Sequence, residues 1–259
     1  MEYPVISFGT YRLGKETYQS LEYALANGYR SIDTASLYQI ENVVGNYLGK
    51  NQINRSDIWI TSKLNPKTYT KNPDEIRQSI IKTLNDLNTS YLDLFLIHKP
   101  QDECIIKCWS VLEEFYQQGI FRNIGVSNFD IHHMEMISNF STVPIYTNQI
   151  ELSPFLKRPN VVKYMINNNI IVSAHSSLAK GEKFDDETIL NISKKYNKTP
   201  AQIMLKWGLQ NNYRIIPRSS KENHIIEDIT LNFTIQQNDM DELNNIQIKH
   251  ITHPQYQLS

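Results

Sequence analysis

Short runs of β-branched and aromatic residues alternate along the chain with longer segments whose apolar residues recur every three or four positions. Such runs predict strands, and such spacing predicts helices that bury one face. In "NPDEIRQSIIKTLNDL" the apolar stripe consists of Ile76, Ile80, Ile81, Leu84 and Leu87. Gly28 and Gly119 follow two helical segments and predict their C-terminal ends.

The strand-like runs number eight and are spaced evenly. They are "PVISFGTY", "YRSIDTA", "DIWITSKL", "YLDLFLIHKP", "FRNIGVSNF", "PIYTNQIEL", "NIIVSAHSS" and "YRIIPRSS". Helical segments such as "CIIKCWSVLEEFYQQG" lie between them. In a chain of 259 residues this alternation predicts an α/β protein formed by a single (β/α)₈ TIM barrel. Because no linker interrupts the pattern, we expect one domain over residues 1–259.

Composition excludes several classes of protein. The net charge is -1, and Lys and Arg are scattered, which argues against a nucleic-acid partner. No apolar run approaches the roughly 20 residues that span a bilayer, and the N-terminus lacks the features of a signal peptide. We therefore expect a cytoplasmic protein with no membrane partner. Cys104 and Cys108, four apart on a predicted helix, are expected to be reduced thiols.

Four polar side chains fall where a barrel carries its function, at the C-terminal ends of consecutive strands. Asp33 ends the second strand, Lys63 the third and His98 the fourth, and Tyr38 lies in the loop after the second. Each alone has an ordinary explanation, such as a hydrogen-bonded core histidine, a solvated lysine or a packed tyrosine. Their conjunction at matching positions predicts a shared site at the barrel mouth.

The chemistry of these four groups suits proton transfer to oxygen. A phenol titrates near pH 10, and a neighbouring ammonium such as Lys63 would lower its pKa, so that Tyr38 becomes a usable acid or base. Asp33 can supply the counter-charge for a buried Lys63. His98 can donate a hydrogen bond to a bound carbonyl oxygen. The set contains no strong nucleophile and no metal-ligand cluster, so we expect a cofactor to supply a hydride.

Six motifs, in order and spacing, resemble those of the aldo-keto reductases, most of all the short bacterial diketogluconate and aldehyde reductases. They are "GYRSIDTASLYQIE", "ITSKL", "DLFLIHKP", "GIFRNIGVSNF", "NQIELSP" and "IIPRSS". The resemblance implies NADPH-dependent reduction of aldehydes or ketones to alcohols. It makes Tyr38 the proton donor, Lys63 and Asp33 the groups that tune it, and His98 the residue that orients the carbonyl.

The same resemblance implies a cofactor site at the mouth. The residues expected around the nicotinamide are Gly9, Thr10, Tyr11, Asp33, Ser127, Asn128, Gln149 and His175. Those expected near the phosphates and the adenosine are Ser176, Leu178, Arg218, Ser219, His224, Glu227 and Asp228. Arg218 can bind a 2′-phosphate with two N–H groups, which favours NADPH over NADH. His224 and Asp228 stand where relatives have Arg and Asn, which weakens that preference.

The expected substrate pocket departs from the family pattern. Its residues are Tyr11, Tyr38, Asn65, His98 and Lys99. Asn65, Lys99 and Tyr11 stand where relatives often have Trp, so we expect a polar, cationic pocket for sugar-derived or keto-acid carbonyls, unless Lys99 faces solvent. His175 stands where a larger aromatic ring stacks on the nicotinamide, and its protonation is expected to vary near neutral pH. Little chain follows the last motif, so we expect an open mouth.

Two other functions compete with the reductase. A Schiff-base enzyme would need an unprotonated lysine, which Asp33 beside Lys63 disfavours. A non-catalytic NADPH-binding barrel, acting as a sensor or accessory subunit, would explain the altered His175 and His224 but not the complete proton-transfer set. His132 and His133 are expected to point to different faces of a helix, so we expect no metal site. The expected oligomeric state is a monomer.

Overall fold

The computed structural model describes residues 2–254 and contains one sheet of eight parallel strands. The strands are β1 Phe8–Gly9, β2 Ser31–Asp33, β3 Trp59–Leu64, β4 Leu94–Ile97, β5 Ile124–Ser127, β6 Thr147–Glu151, β7 Ile171–His175 and β8 Arg214–Ile215. They are hydrogen-bonded in chain order, β1 to β8. Each lies inside one of the eight runs that the sequence predicts.

The sheet closes on itself between its first and last strands. Ile6 forms a parallel bridge with Ile215, and the Ser7 N–H donates to the Ile215 carbonyl at 2.9 Å. Further along, the Gly9 N–H donates to the Pro217 carbonyl at 2.9 Å. A Cβ at Gly9 would lie 3.1 Å from Ile216 Cγ2 and 3.2 Å from that carbonyl oxygen, so glycine permits the close approach. The closure confirms the predicted (β/α)₈ barrel.

Within residues 2–254, ten α-helices surround or follow the strands. They are α1 Thr17–Ala26, α2 Glu41–Lys50, α3 Pro73–Asp86, α4 Ile105–Gln117, α5 Ile131–Phe140, α6 Pro159–Asn167, α7 Glu187–Tyr196, α8 Pro200–Gln210, α9 Glu222–Ile229 and α10 Gln237–Asn244. Gly28 and Gly119 have φ of 97° and 72°, which confirms them as helix-ending residues after α1 and α4. No helix in residues 2–254 is long and apolar enough to cross a membrane.

The apolar stripe of α3 is narrower than the sequence pattern indicated. Ile76 and Ile80 are fully buried and Leu87 nearly so, but Ile81 is 49% exposed. Consecutive residues of a helix are separated by about 100° of rotation, which carries Ile81 off the face that Ile80 occupies. The prediction that Ile81 belongs to the buried stripe is therefore wrong.

The barrel interior is filled from its N-terminal end toward the mouth. Trp59 and Thr61 share one face of β3, where the Trp59 indole N–H donates to the Thr61 hydroxyl at 3.0 Å, and Lys63 follows two residues later. Tyr3 stacks on Trp59 with ring centroids 5.0 Å apart and bonds its hydroxyl to Ser173 at 3.0 Å. Above this packed floor, Lys63 is the last β3 residue on the same face as Trp59 and Thr61. Elsewhere, the two cysteines are buried free thiols, as expected.

Candidate active site

Tyr38 is held above the end of β2 by a single helical turn. Residues Ser36–Tyr38 form a 3₁₀ helix that ends where Gln39 adopts a left-handed conformation with φ of 58°. The Ser36 hydroxyl donates to the Lys63 carbonyl at 2.9 Å, which ties this turn to β3. The local sequence thus lifts a half-buried phenol beside the strand end that carries Lys63.

Beneath the phenol lies a buried ion pair. The Lys63 ammonium is 1% exposed and donates to Asp33 Oδ1 at 2.5 Å and to the Thr34 carbonyl at 2.9 Å. The Gln149 amide donates to Asp33 Oδ2 at 2.7 Å. Both carboxylate oxygens are therefore occupied, and the ammonium has a counter-charge where water is excluded. Its nitrogen lies 5.5 Å from the centroid of the Tyr38 ring.

His98 faces the phenol from the end of β4. Its ring meets the Tyr38 ring edge-on, with centroids 5.7 Å apart and an interplanar angle of 77°. The Tyr69 hydroxyl accepts from the His98 backbone N–H at 2.8 Å, and Asn128 Nδ2 donates to the His98 carbonyl at 3.1 Å. Burial lowers the pKa of His98 to about 3, with further contributions from Lys63 and Lys99. The imidazole is therefore neutral and can donate one hydrogen bond.

A polar network continues from His98 onto β5, β6 and β7. Asn128, with φ of 61°, donates from Nδ2 to the Ser127 hydroxyl at 3.0 Å, and its Oδ1 lies 2.9 Å from His175 Nε2. The Ser127 hydroxyl donates to the Gln149 carbonyl at 2.8 Å. Burial lowers the pKa of His175 well below its usual value, and His253 and Lys63 add to the effect. The expectation that His175 changes protonation near neutral pH is therefore wrong.

A cavity of about 230 Å³ opens over this network at the barrel mouth. The predicted residues on its wall are Gly9, Thr10, Tyr11, Asp33, Tyr38, His98, Ser127, Asn128, Gln149, His175, Ser176, Leu178 and Arg218. The residues on its wall that sequence reasoning missed are Arg12, Leu37, Ser177, Lys180, Ile216, Pro217 and His253. Position along the chain could have indicated four of them, because each adjoins a predicted residue: Arg12, Leu37, Ser177 and Pro217.

Two residues predicted to wall the substrate pocket do not line this cavity. The Asn65 side chain instead accepts from the Lys67 N–H at 3.1 Å and caps a 3₁₀ helix over Pro66–Thr68. Lys99 is half-buried next to His98 but is not on the cavity wall. Positive charge at the mouth comes from Arg12, Lys180 and Arg218 rather than from Lys99.

The predicted adenosine-binding residues lie at or beyond the edge of the cavity. Arg218 is exposed on its wall, whereas Ser219 is buried and accepts from the Lys221 N–H at 3.1 Å. His224 is exposed on α9, and the Glu227 carboxylate accepts from the Thr199 hydroxyl at the start of α8. Asp228 is buried, and burial, with Glu227, raises its pKa to about 7. Cofactor contacts by these α9 residues stay predictions.

The last described segment of the chain contributes one residue, His253, to the cavity wall, whereas the expectation of an open mouth stays a prediction. Buried Glu151 accepts the backbone N–H groups of Thr252 and His253 at 2.6 and 3.0 Å. The Lys180 ammonium donates to the Thr252 carbonyl at 2.6 Å. These bonds hold the His253 ring against the cavity, edge-on to His175 with centroids 5.6 Å apart. The chain after the last motif therefore contributes to the site.

Comparison with known proteins finds members of one enzyme family that are similar over nearly the whole chain. The profile of the aldo/keto reductase family matches residues 5–248. A glyoxal reductase of Bacillus subtilis (strain 168) is 36% identical over 250 residues, covering 94% of this chain and 88% of the relative. The methylglyoxal reductase DkgB of Escherichia coli O157:H7 is 37% identical over 230 residues, covering 87% and 85%.

Solved structures of aldo-keto reductases are also similar to this chain in fold. An aldo-keto reductase enzyme from a Medee basin deep-sea metagenome library superposes with a TM-score of 0.90 at 30% identity, covering 94% of this chain and 91% of the other. The aldose reductase of Schistosoma japonicum gives a TM-score of 0.90 at 27% identity, covering 97% and 91%.

The family match and the two reductase relatives show an oxidoreductase that acts on carbonyl or CH–OH groups of small molecules with a nicotinamide cofactor. The chain belongs to the aldo/keto reductase family.

Proposed function

We propose that this protein uses NADPH to reduce small, polar carbonyl compounds to alcohols, and that glyoxal and methylglyoxal represent its substrate class. The observation that carries the proposal is the buried Lys63–Asp33 pair at 2.5 Å beneath the Tyr38 ring, with neutral His98 beside it. Each of the four groups has a separate task in the reduction of a carbonyl.

Tyr38 and His98 act on the carbonyl oxygen. An oxygen that lies between the two rings can accept a hydrogen bond from each, which fixes its orientation and stabilises the negative charge that develops on it. When bound, the nicotinamide supplies the hydride that reaches the carbonyl carbon. Tyr38 then donates its hydroxyl proton to the oxygen and completes the alcohol.

Lys63 and Asp33 make this proton transfer feasible near neutral pH. The Lys63 ammonium stabilises the phenolate that Tyr38 becomes after it has given up its proton. Asp33, fixed by Gln149 and Lys63, holds the ammonium in place. A lysine without this partner would be a buried, uncompensated charge. The pair therefore prepares the site before any substrate enters.

The residues on the cavity wall fit a dinucleotide. On the cavity wall, the Asn128 amide donates to the Ser127 hydroxyl, which donates to the Gln149 backbone carbonyl, and this group of amide and hydroxyl functions suits a carboxamide. The His175 ring, held at 2.9 Å by Asn128, offers a flat surface beside them. Arg12, Lys180 and Arg218 add positive charge that suits phosphates, and the exposed Arg218 can bind a 2′-phosphate with two N–H groups. These features support NADPH over NADH.

The size and polarity of the cavity support a small substrate. A volume of about 230 Å³ leaves little room for a large substrate beside a nicotinamide. Tyr11, His253 and Leu37 lie on the cavity wall, and two of the three carry polar groups. The names of the two bacterial relatives, glyoxal reductase and methylglyoxal reductase, support a dicarbonyl substrate of this size.

Steady-state turnover with NADPH and NADH tests the proposal against methylglyoxal, glyoxal, glyoxylate and benzaldehyde. We expect kcat/KM to be highest for the dicarbonyls and NADPH to be preferred. A clear preference for benzaldehyde contradicts the substrate class. Tight NADPH binding without turnover on any carbonyl would favour a non-catalytic sensor, the function that the smaller ring of His175 allows.

Arg218→Ala tests the cofactor assignment separately. We expect it to weaken NADPH binding about tenfold or more while it changes NADH binding less than threefold, because only NADPH carries the 2′-phosphate. Lys15→Ala, which removes an exposed cation elsewhere on the surface, is the matched control and should change neither affinity. Equal losses for both cofactors in Arg218→Ala would contradict a 2′-phosphate contact.

A further inference from the structure

Two histidines and an aspartate meet outside the cavity. Asp102 lies in the 3₁₀ helix Asp102–Cys104 that follows β4, and His132 and His133 lie in the first turn of α5. One ligand atom from each of the three residues lies within 4.8 Å of the others. The histidine rings have centroids 3.7 Å apart. The expectation that adjacent histidines point away from each other is therefore wrong here.

Two hydrogen bonds set the direction of the His133 ring. Its Nδ1 accepts the Asp130 backbone N–H at 3.0 Å, which leaves Nε2 as the outward-facing nitrogen. Nε2 lies 3.0 Å from Asp102 Oδ1. Zinc binds histidine nitrogen and carboxylate oxygen at about 2.0–2.2 Å, so two such ligands at angles of about 90–110° lie roughly 3.0–3.5 Å apart. An ion bound at Nε2 takes the place of the shared hydrogen, and the ring proton then moves to Nδ1, so that Nδ1 no longer accepts the Asp130 N–H.

We propose that Asp102, His132 and His133 bind one divalent transition-metal ion, with water completing the coordination. Imidazole and carboxylate ligands suit Zn²⁺, Ni²⁺ and Cu²⁺ more than Mg²⁺ or Ca²⁺. Asp102 and His132 are exposed and His133 is half-buried, so an ion can reach the site from solvent. None of the three residues lines the cavity, so the site is separate from the proposed carbonyl chemistry.

The ion would join two segments that the barrel positions independently. Asp102 belongs to the loop that leaves β4 after His98, and the histidines follow Asn128 at the end of β5. A metal bridge between them would stabilise the folded state, because the unfolded chain does not hold the three ligands together. Zn²⁺ should therefore raise the thermal unfolding temperature of the protein as well as bind to it.

The test is titration of the untagged, EDTA-treated and dialysed protein with Ni²⁺ and Zn²⁺ by calorimetry, with thermal unfolding measured alongside. We expect one ion per chain, and an affinity that falls about tenfold or more in Asp102→Asn and in His132→Gln, with unchanged circular dichroism. His250→Gln is the matched control, because His250 Nε2 also faces a carboxylate, Glu182, at 3.1 Å but is not part of the three-residue cluster. We expect it to bind like the parent.

A further variant tests whether the metal binds the nearby Cys104 thiol instead of the proposed ligands. Cys104 lies two residues after Asp102 in the same 3₁₀ helix, so Cys104→Ser should keep parental affinity if the proposed ligands are correct. Binding that is lost in Cys104→Ser, binding unchanged within threefold in both ligand variants, or no saturable binding at one ion per chain would each overturn the proposal.

Discussion

The side-chain amide of Gln149 on β6 donates to Asp33 Oδ2 on β2 over 2.7 Å, across the interior of the barrel. Lys63 occupies the other oxygen of the same carboxylate at 2.5 Å. Strands from opposite parts of the sheet thus fix one carboxylate, and that carboxylate fixes the ammonium beneath the Tyr38 ring. The position of the proposed proton-transfer site is therefore a property of barrel closure rather than of any one loop.

Removing the charge of Asp33 should destabilise the whole protein. Asp33→Asn keeps the size of the side chain but leaves the Lys63 ammonium, 1% exposed, without a counter-charge. We expect a loss of about 3–5 kcal/mol in the free energy of unfolding, measured by urea denaturation. Asp57→Asn, at an exposed aspartate, is the control and should cost less than about 0.5 kcal/mol. A loss below 1 kcal/mol at Asp33 would show that the pair is not strongly coupled.

Buried His98 should make stability fall in acid. Its pKa is about 3 in the folded state, below that of an unfolded histidine, so between pH 6.5 and 3 the unfolded chain binds a proton that the folded chain does not. The contribution of His98 to the free energy of unfolding is complete above pH 6.5. Below that pH it falls by up to about 1.4 kcal/mol per pH unit. Between pH 6 and 4, the free energy of unfolding from urea denaturation should therefore fall less steeply in His98→Gln than in the parent.

The comparison must be made with the parent at each pH. Burial raises the pKa of Glu41 to about 7, and this carboxyl contributes the opposite slope, since the folded state binds its proton first as pH falls. That slope is common to the parent and to His98→Gln. Parallel stability curves for the two proteins between pH 6 and 4 would mean that His98 is readily protonated in the folded state.

The ring of His175 should matter for cofactor affinity. His175→Ala removes the flat surface that Asn128 orients at 2.9 Å, and we expect NADPH to bind about five- to tenfold more weakly, as a lost ring contact of about 1 kcal/mol implies. His175→Tyr should bind NADPH more tightly than His175→Ala because it restores a ring. Fluorescence titration measures both. Equal affinities in parent and His175→Ala would place the nicotinamide elsewhere.

Glu151 should control the segment that places His253 on the cavity wall. Glu151→Gln leaves one acceptor oxygen where the carboxylate now accepts from both Thr252 and His253. We expect hydrogen exchange at these two amides to rise about tenfold, because a lost buried hydrogen bond costs about 1–3 kcal/mol. Glu182→Gln changes a more exposed partner of the same segment, His250, and should leave exchange at Thr252 and His253 unchanged. No difference between the two variants would contradict the anchoring role of Glu151.

The sequence predicted the parts of this molecule that depend on local pattern. Alternating strands and helices indicate a barrel, and barrel geometry places the strand-end residues Asp33, Lys63 and His98 at one mouth. The position of Asn65 was mispredicted because an Asn before Pro favours capping its own turn over facing a pocket. His253 could not be found in this way, since Glu151, its anchor, lies 102 residues away.

The central claim is that Tyr38 donates the proton in carbonyl reduction. The most direct measurement compares the parent and Tyr38→Phe for NADPH oxidation with methylglyoxal, with NADPH affinity determined by fluorescence on the same preparations. We expect Tyr38→Phe to lose about a hundredfold or more in kcat while its affinity for NADPH stays within threefold of the parent. Turnover within tenfold of the parent at unchanged cofactor affinity would contradict the assignment of Tyr38.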